Sequence, residues 1–101
     1  MGFVCFLEIQ VHLPTNGSLK GKRRELTALK AQLQRRFGAA VAETAHHDLW
    51  QRATLSAALV GPDPGPVLAA ADRIERFVCE RYPGTVRVER GIASRDDLLG
   101  G

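Results

Sequence analysis

Aromatic residues are scarce in this 101-residue chain: one Trp, one Tyr and four Phe make up 6% of it. No aromatic-rich run of the kind that RNA-binding sheets use to stack bases is present. Cysteine is equally sparse. Cys5 and Cys79 lie far apart and form no C-x-x-C pair, so the chain reads as a reduced, cytoplasmic protein with two free thiols. Long apolar runs are missing too. Phe3 to Leu13 is short, is interrupted by Glu8 and Gln10 and lacks a basic leader, so it reads as neither a signal peptide nor a membrane span. The most informative absence is acidic. Ser18-Leu19-Lys20-Gly21-Lys22-Arg23-Arg24 reads as the first turns of a helix, and it holds four cations and no carboxylate. A helix N-terminus carries about half a positive charge and normally collects acids. Cations beside free backbone N–H groups describe an anion site, and phosphate is the commonest anion of that shape.

The length gives one domain with a two-layer core, and 45% apolar with 25% charged residues is an ordinary globular composition. The net charge of +3 conceals an asymmetry. Residues 1–38 hold seven Lys/Arg against Glu8 and Glu25, whereas residues 39–101 hold seven Arg against nine acids. The surplus sits on the first helix, and a concentrated basic stripe is the electrostatic signature of a nucleic-acid partner.

Phe3 to Leu13 alternates, with Phe3, Cys5, Leu7, Ile9, Val11 and Leu13 on one face, as a half-buried strand does. Pro14-Thr15-Asn16-Gly17 is turn chemistry, Ser18 an N-cap and Gly38 a stop for a helix buried through Leu26, Leu29, Leu33 and Phe37. Ala39 to Ala45 and Trp50 to Val60 read as strands around a corner at His46 to Leu49. Gly61-Pro62 breaks the chain, and Asp63 and Pro64 open a second helix that Pro83-Gly84 ends. Thr85 to Ile92 is a last strand with Val86, Val88 and Ile92 inward. This order predicts an α+β, ferredoxin-like βαββαβ sandwich, one four-stranded antiparallel sheet with two helices on one face. Residues 1–95 form the domain and 96–101 a flexible tail.

The second helix mixes signs, with Asp72–Arg76 and Arg76–Glu80 at i,i+4 spacing, and needs no partner. On the first, Lys20, Arg23, Arg24, Thr27, Lys30, Gln34 and Arg35 fall on one flank and Glu25 and Gln32 on the other. That is a basic track along about 28 Å of helix at 1.5 Å per residue. Lys20, Lys22, Arg23, Arg24, Lys30, Arg35 and Arg36 are the candidate phosphate contacts. The plain alternative is a solvated face, with Lys22 and Lys30 laying their stems over the apolar stripe.

The uncovered sheet face is expected to show Glu8, Gln10, His12, Trp50, Arg52, Arg87 and Glu89. Trp50 with arginines can stack bases, but Trp50 also fits a core position, and contact with a second copy or another protein ranks above stacking for this face. His46, His47 and Asp48 suggest a metal only superficially. Neighbours in extended chain point to opposite faces, and a turn in which Asp48 accepts backbone N–H bonds is the better reading. Neither metal nor cofactor is expected.

Leu13-Pro14, Ser18-Leu19-Lys20 with Lys22-Arg23, Arg36-Phe37, Val41-Ala42-Glu43, His46 and Asp48-Leu49-Trp50-Gln51-Arg52-Ala53 together carry a resemblance. In these blocks residues 7–60 resemble the YlxP-like family of small bacterial proteins, a family of unknown function. Gly21 stands where relatives often carry a charged residue and His47 where Gln is common. The resemblance implies a ferredoxin-like fold and no catalytic residue. Relatives are commonly encoded among genes for translation initiation and ribosome maturation, which implies work on RNA or the ribosome. The reading is a non-enzymatic cytoplasmic module that binds RNA or a ribosomal subunit, with His46, Asp48, Trp50, Gln51 and Arg52 as specific contacts. Its rivals are a homodimer or protein-interaction module on the open face, and an acylphosphatase-like enzyme gripping phosphate in the Thr15-Asn16-Gly17-Ser18 loop.

Overall fold

The computed structural model describes residues 1–101. Its elements run β1 (Phe3–His12), α1 (Leu19–Phe37), β2 (Ala40–Ala45), β3 (Arg52–Gly61), α2 (Pro64–Arg81), β4 (Val86–Ser94) and α3 (Arg95–Leu99). The four strands form one sheet in the order β2-β3-β1-β4, and every neighbouring pair is antiparallel. This is the α+β, ferredoxin-like sandwich that the element order implies.

Alternation builds the core. Cys5, Leu7, Ile9 and Val11 of β1 and Ala53, Leu55, Ala57 and Leu59 of β3 point at the helices and are buried. Leu26, Leu29 and Leu33 of α1 and Val67, Ala71, Ile74 and Val78 of α2 close over them. Val86 and Val88 pack at the margin of this core, while Ile92 on the edge strand stays 39% exposed.

The helix ends follow local chemistry. The Ser18 hydroxyl accepts from Gly21 N–H at 3.0 Å, and Gly38 takes φ 69°, a left-handed conformation open to glycine, where its N–H reaches the Gln34 carbonyl. Asp63 opens α2 without a side-chain cap bond, and Pro64 supplies the preset φ there.

Two segments depart from expectation. β3 begins at Arg52, so Trp50 lies before the strand, 48% exposed, outside the core. The expected loose tail is ordered: Ser94 and Asp97 form a capping box that starts α3, and Arg95 N–H donates to the Gly2 carbonyl at 2.7 Å.

Candidate nucleic-acid interface

The helix start and the β2–β3 corner, separate in sequence, are stitched together at one end of the molecule, and Lys22 is the main stitch. Its side chain is 2% exposed; Nζ donates to the carbonyls of His46 at 2.6 Å and Leu49 at 2.7 Å, and Glu43 Oε2 lies 2.9 Å away. Two carbonyl acceptors and the opposite charge of Glu43, whose Oε2 has no hydrogen-bond partner and is held by the ion pair alone, make the burial of this charge tolerable. Asn16 adds a second stitch, its amide donating to the Ser18 carbonyl at 2.8 Å and to the Trp50 carbonyl. Leu13 N–H donates to the Gln51 carbonyl at 2.7 Å, and the Gln51 amide reaches the Pro14 carbonyl at 3.5 Å. Lys22 is therefore a structural residue and no phosphate contact.

Arg36 is the second correction. At 100° per residue it falls on the α2 side of α1, apart from the basic flank, and its guanidinium stacks over Phe77 at 4.8 Å and Phe37 at 5.8 Å. Five cations remain on the free flank. Lys20, Arg23, Arg24 and Arg35 are exposed and Lys30 is half-buried, and none of the five makes an ion pair or a side-chain hydrogen bond. The only acid of α1 is engaged elsewhere. Glu25 Oε1 accepts from the Tyr82 hydroxyl at 2.5 Å and from Arg81 at 3.1 and 3.3 Å, and Arg81 also donates to Gln32 at 2.8 Å. The Tyr82 hydroxyl, with Arg81 behind it, holds the Glu25 carboxyl below its ordinary value. Burial, then the bond to Glu25, pushes the Tyr82 phenol up to about 12. One flank of α1 thus docks on α2, and the other faces outward as unneutralised positive charge.

A cavity of about 290 Å³ opens at the same end, on the sheet face without helices. Gln10, His12, Arg52, Thr54 and Arg87 project into it, with His46 and Thr85 at its edge. His46 has φ 62°, the one non-glycine residue in the left-handed region. Its ring is fixed by Nδ1 against Thr54 Oγ1 at 2.8 Å and its carbonyl by Lys22. Arg52 is unpaired, whereas Arg87 sits 3.4 Å from Glu89 with both side chains mostly exposed.

The other corner residues behave differently. His47 turns back to the Glu43 carbonyl at 3.2 Å, away from His46. The corner is closed by Leu49 N–H to the His46 carbonyl at 3.1 Å, and Asp48, fully at the surface, accepts no backbone bond. His12 and His46 line one cavity, an approach the sequence did not reveal, yet no trio of His, Cys, Asp or Glu stands in metal-binding geometry. No helix is long and apolar enough to cross a membrane.

Beyond a polar band of Glu8, Glu89, Ser56 and Thr44, the far end of the uncovered face is apolar: Phe6 is 50% and Val60 78% exposed beside Ala40, Ala42 and Ala58.

Solved structures repeat this architecture at low identity. The de novo designed protein Foldit4 is 14% identical, with a TM-score of 0.66 over 94% of this chain and 99% of that one. The flavoprotein MtVAO615 from Myceliophthora thermophila is 16% identical, with a TM-score of 0.57 over 92% of this chain and only 16% of that one. An amidase of the hydantoinase/carbamoylase family from Burkholderia phymatum is 16% identical, with a TM-score of 0.53 over 98% of this chain and 31% of that one. At such identity the likeness is one of fold alone. No curated protein matches significantly. Residues 4–90 match the family described as Protein of unknown function (DUF503), and the chain belongs to that family.

Proposed function

We propose that this DUF503-family protein is a non-enzymatic RNA-binding module that associates with the ribosome in the cytoplasm. The supporting observation is the outer flank of α1, where Lys20, Arg23, Arg24, Lys30 and Arg35 carry five charges without a single acidic partner. A phosphodiester backbone is the anion whose length matches such a track, and displacement of its counterions drives binding. Trp50, half exposed at the same end, and Arg52, unpaired on the open face, supply contacts of the stacking kind. The Asp48–Arg52 block further aligns the chain with YlxP-like members, whose gene neighbourhood points to translation. In the acylphosphatase-like alternative the Thr15–Ser18 loop must receive phosphate, but its Asn16 amide and Ser18 hydroxyl are already spent on the chain's own backbone.

The test is sedimentation of a lysate through a sucrose gradient. Co-migration with ribosomal subunits at low salt is expected, lost at high salt and lost at low salt when Lys20, Arg23 and Arg24 are all changed to Glu. A protein that stays at the top of the gradient in every condition contradicts the proposal.

The apolar patch of Phe6 and Val60 favours a second reading, a homodimer formed across the uncovered face. Light scattering is then expected to give twice the chain mass for the wild type and the single chain mass for Phe6→Glu. A wild-type monomer at high concentration rejects it.

A further inference from the structure

We propose that the cavity at the end of the uncovered sheet face is a phosphomonoester site, taking the dianionic terminal phosphate of a nucleotide or of an RNA end. It is distinct from the α1 flank and lies on the opposite side of the sheet, so it goes beyond backbone binding. Its donors are chosen for such an anion. Arg52 and Arg87 stand on the two strands that flank β1, about 12 Å apart with two strand spacings across and two residues along, and β1 places His12 opposite Arg52 and Gln10 opposite Arg87. Two guanidinium forks reaching inward from either side can grip one phosphate by paired N–H···O bonds, a geometry that lysines do not offer. Thr54, Thr85 and the His12 and His46 rings complete a lining that contains no carboxylate.

The site is also built before any ligand arrives. His46 is held at φ 62°, a left-handed conformation that disfavours any residue with a Cβ. The structure maintains it from two sides, by buried Lys22 on the carbonyl and by Thr54, 3% exposed, on the ring. Strain retained at a residue whose ring borders a cavity marks a preset position. Two carboxylates border the site: Glu89 forms an exposed pair with Arg87 that a dianion displaces at little cost, and Glu8 accepts from the Gln10 amide at 3.1 Å. The volume, about 290 Å³, accommodates a phosphate with one sugar.

Titration calorimetry at fixed ionic strength tests this with four probes: inorganic phosphate, AMP, and one short RNA oligonucleotide carrying either a 5′-phosphate or a 5′-hydroxyl. The phosphorylated oligonucleotide is expected to bind about tenfold more tightly than the hydroxyl form, a difference of 1.4 kcal/mol. Arg52→Gln with Arg87→Gln removes that preference, so that the phosphorylated and hydroxyl oligonucleotides then bind alike. Lys20→Glu, Arg23→Glu and Arg24→Glu together weaken both oligonucleotides and preserve their ratio. AMP binding that is lost with the two arginines identifies a free nucleotide as the source. Preference among oligonucleotides without AMP binding identifies an RNA end. Equal affinity for the two oligonucleotides, with no heat from phosphate or AMP, overturns the site while leaving the α1 reading standing. Arg52→Lys guards against misfolding: it keeps the charge and loses the fork, so a reduced preference in a variant with unchanged melting supports the geometry, and an unchanged preference contradicts it.

Discussion

Lys22 illustrates how the same side chain can be read in two ways. In sequence it is one of four cations at a helix start; in the fold it is the buried pin between α1 and the β2–β3 corner. Removing it strands Glu43 and two carbonyls. Lys22→Met is expected to destabilise the protein by about 2–4 kcal/mol in urea unfolding, with part recovered by adding Glu43→Gln. A loss below about 0.5 kcal/mol would show that the pin does not matter. Gly21 is a second such residue. A Cβ there would meet Asn16 Oδ1 at 2.5 Å, and Asn16 cannot swing away without surrendering its bonds to the Ser18 and Trp50 carbonyls. Gly21→Ala therefore sets a gain of up to about 1 kcal/mol in helix propensity against two hydrogen bonds of about 1 kcal/mol each. A net loss of about 1 kcal/mol is expected, turning into a gain relative to the single variant Asn16→Ala when the two are combined. Both roles were only partly legible. Helical spacing puts Lys22 at the margin of the apolar stripe, which hints at burial, but only the fold brings the carbonyls of His46 and Leu49 to it. Gly21 stood out in the sequence only as a departure from its relatives, and only the fold brings Asn16 against it.

At the scale of elements, the strands and helices were legible because periods of 2 and 3.6 are strong signals and Ser18, Gly38 and Pro64 mark the ends. Charge pairing was not. The i,i+4 pairs expected within α2 give way to pairs between elements, with Asp72 and Glu75 holding Arg90 of β4 and Arg81 holding Glu25 of α1. Arg36 likewise left the phosphate set because α2 offers it Phe77. The order of residues 94–99 was readable in principle, since Ser94-Arg95-Asp96-Asp97 has capping-box spacing. The α1–α2 cluster also sets a pH dependence. Tyr82 has a folded pKa raised from 10.0 to about 12, so the stability it contributes is complete below pH 10 and is lost as pH rises from 10 towards 12. Glu25 is lowered from 4.5, so its contribution is present above pH 4.5 and disappears as pH falls through the folded value. Thermal melts of Tyr82→Phe are expected to lack the alkaline slope of the wild type, and those of Glu25→Gln to lack part of the acid slope. Parallel wild-type and variant profiles would contradict both assignments.

Over the whole molecule, charge is partitioned by face. The inner flank of α1 is neutralised by α2, the outer flank is not, and the polar end of the uncovered sheet continues the positive surface through Arg52 and Arg87. The apolar end of that face, around Phe6 and Val60, lies apart from it. The sequence showed the surplus of cations in residues 1–38 but not which were free, because freedom depends on the partners that folding supplies. Five unpaired cations make a quantitative claim about a polyanion. The most direct measurement is the affinity for a short single-stranded RNA over a series of salt concentrations. With one phosphate neutralised by each of Lys20, Arg23, Arg24, Lys30 and Arg35, the logarithm of the association constant should fall with the logarithm of salt at a slope of about −3.5. Changing Lys20, Arg23 and Arg24 to Glu should flatten the slope to about −1.4 or abolish binding. A slope near zero, or one that these three substitutions leave unchanged, contradicts the account.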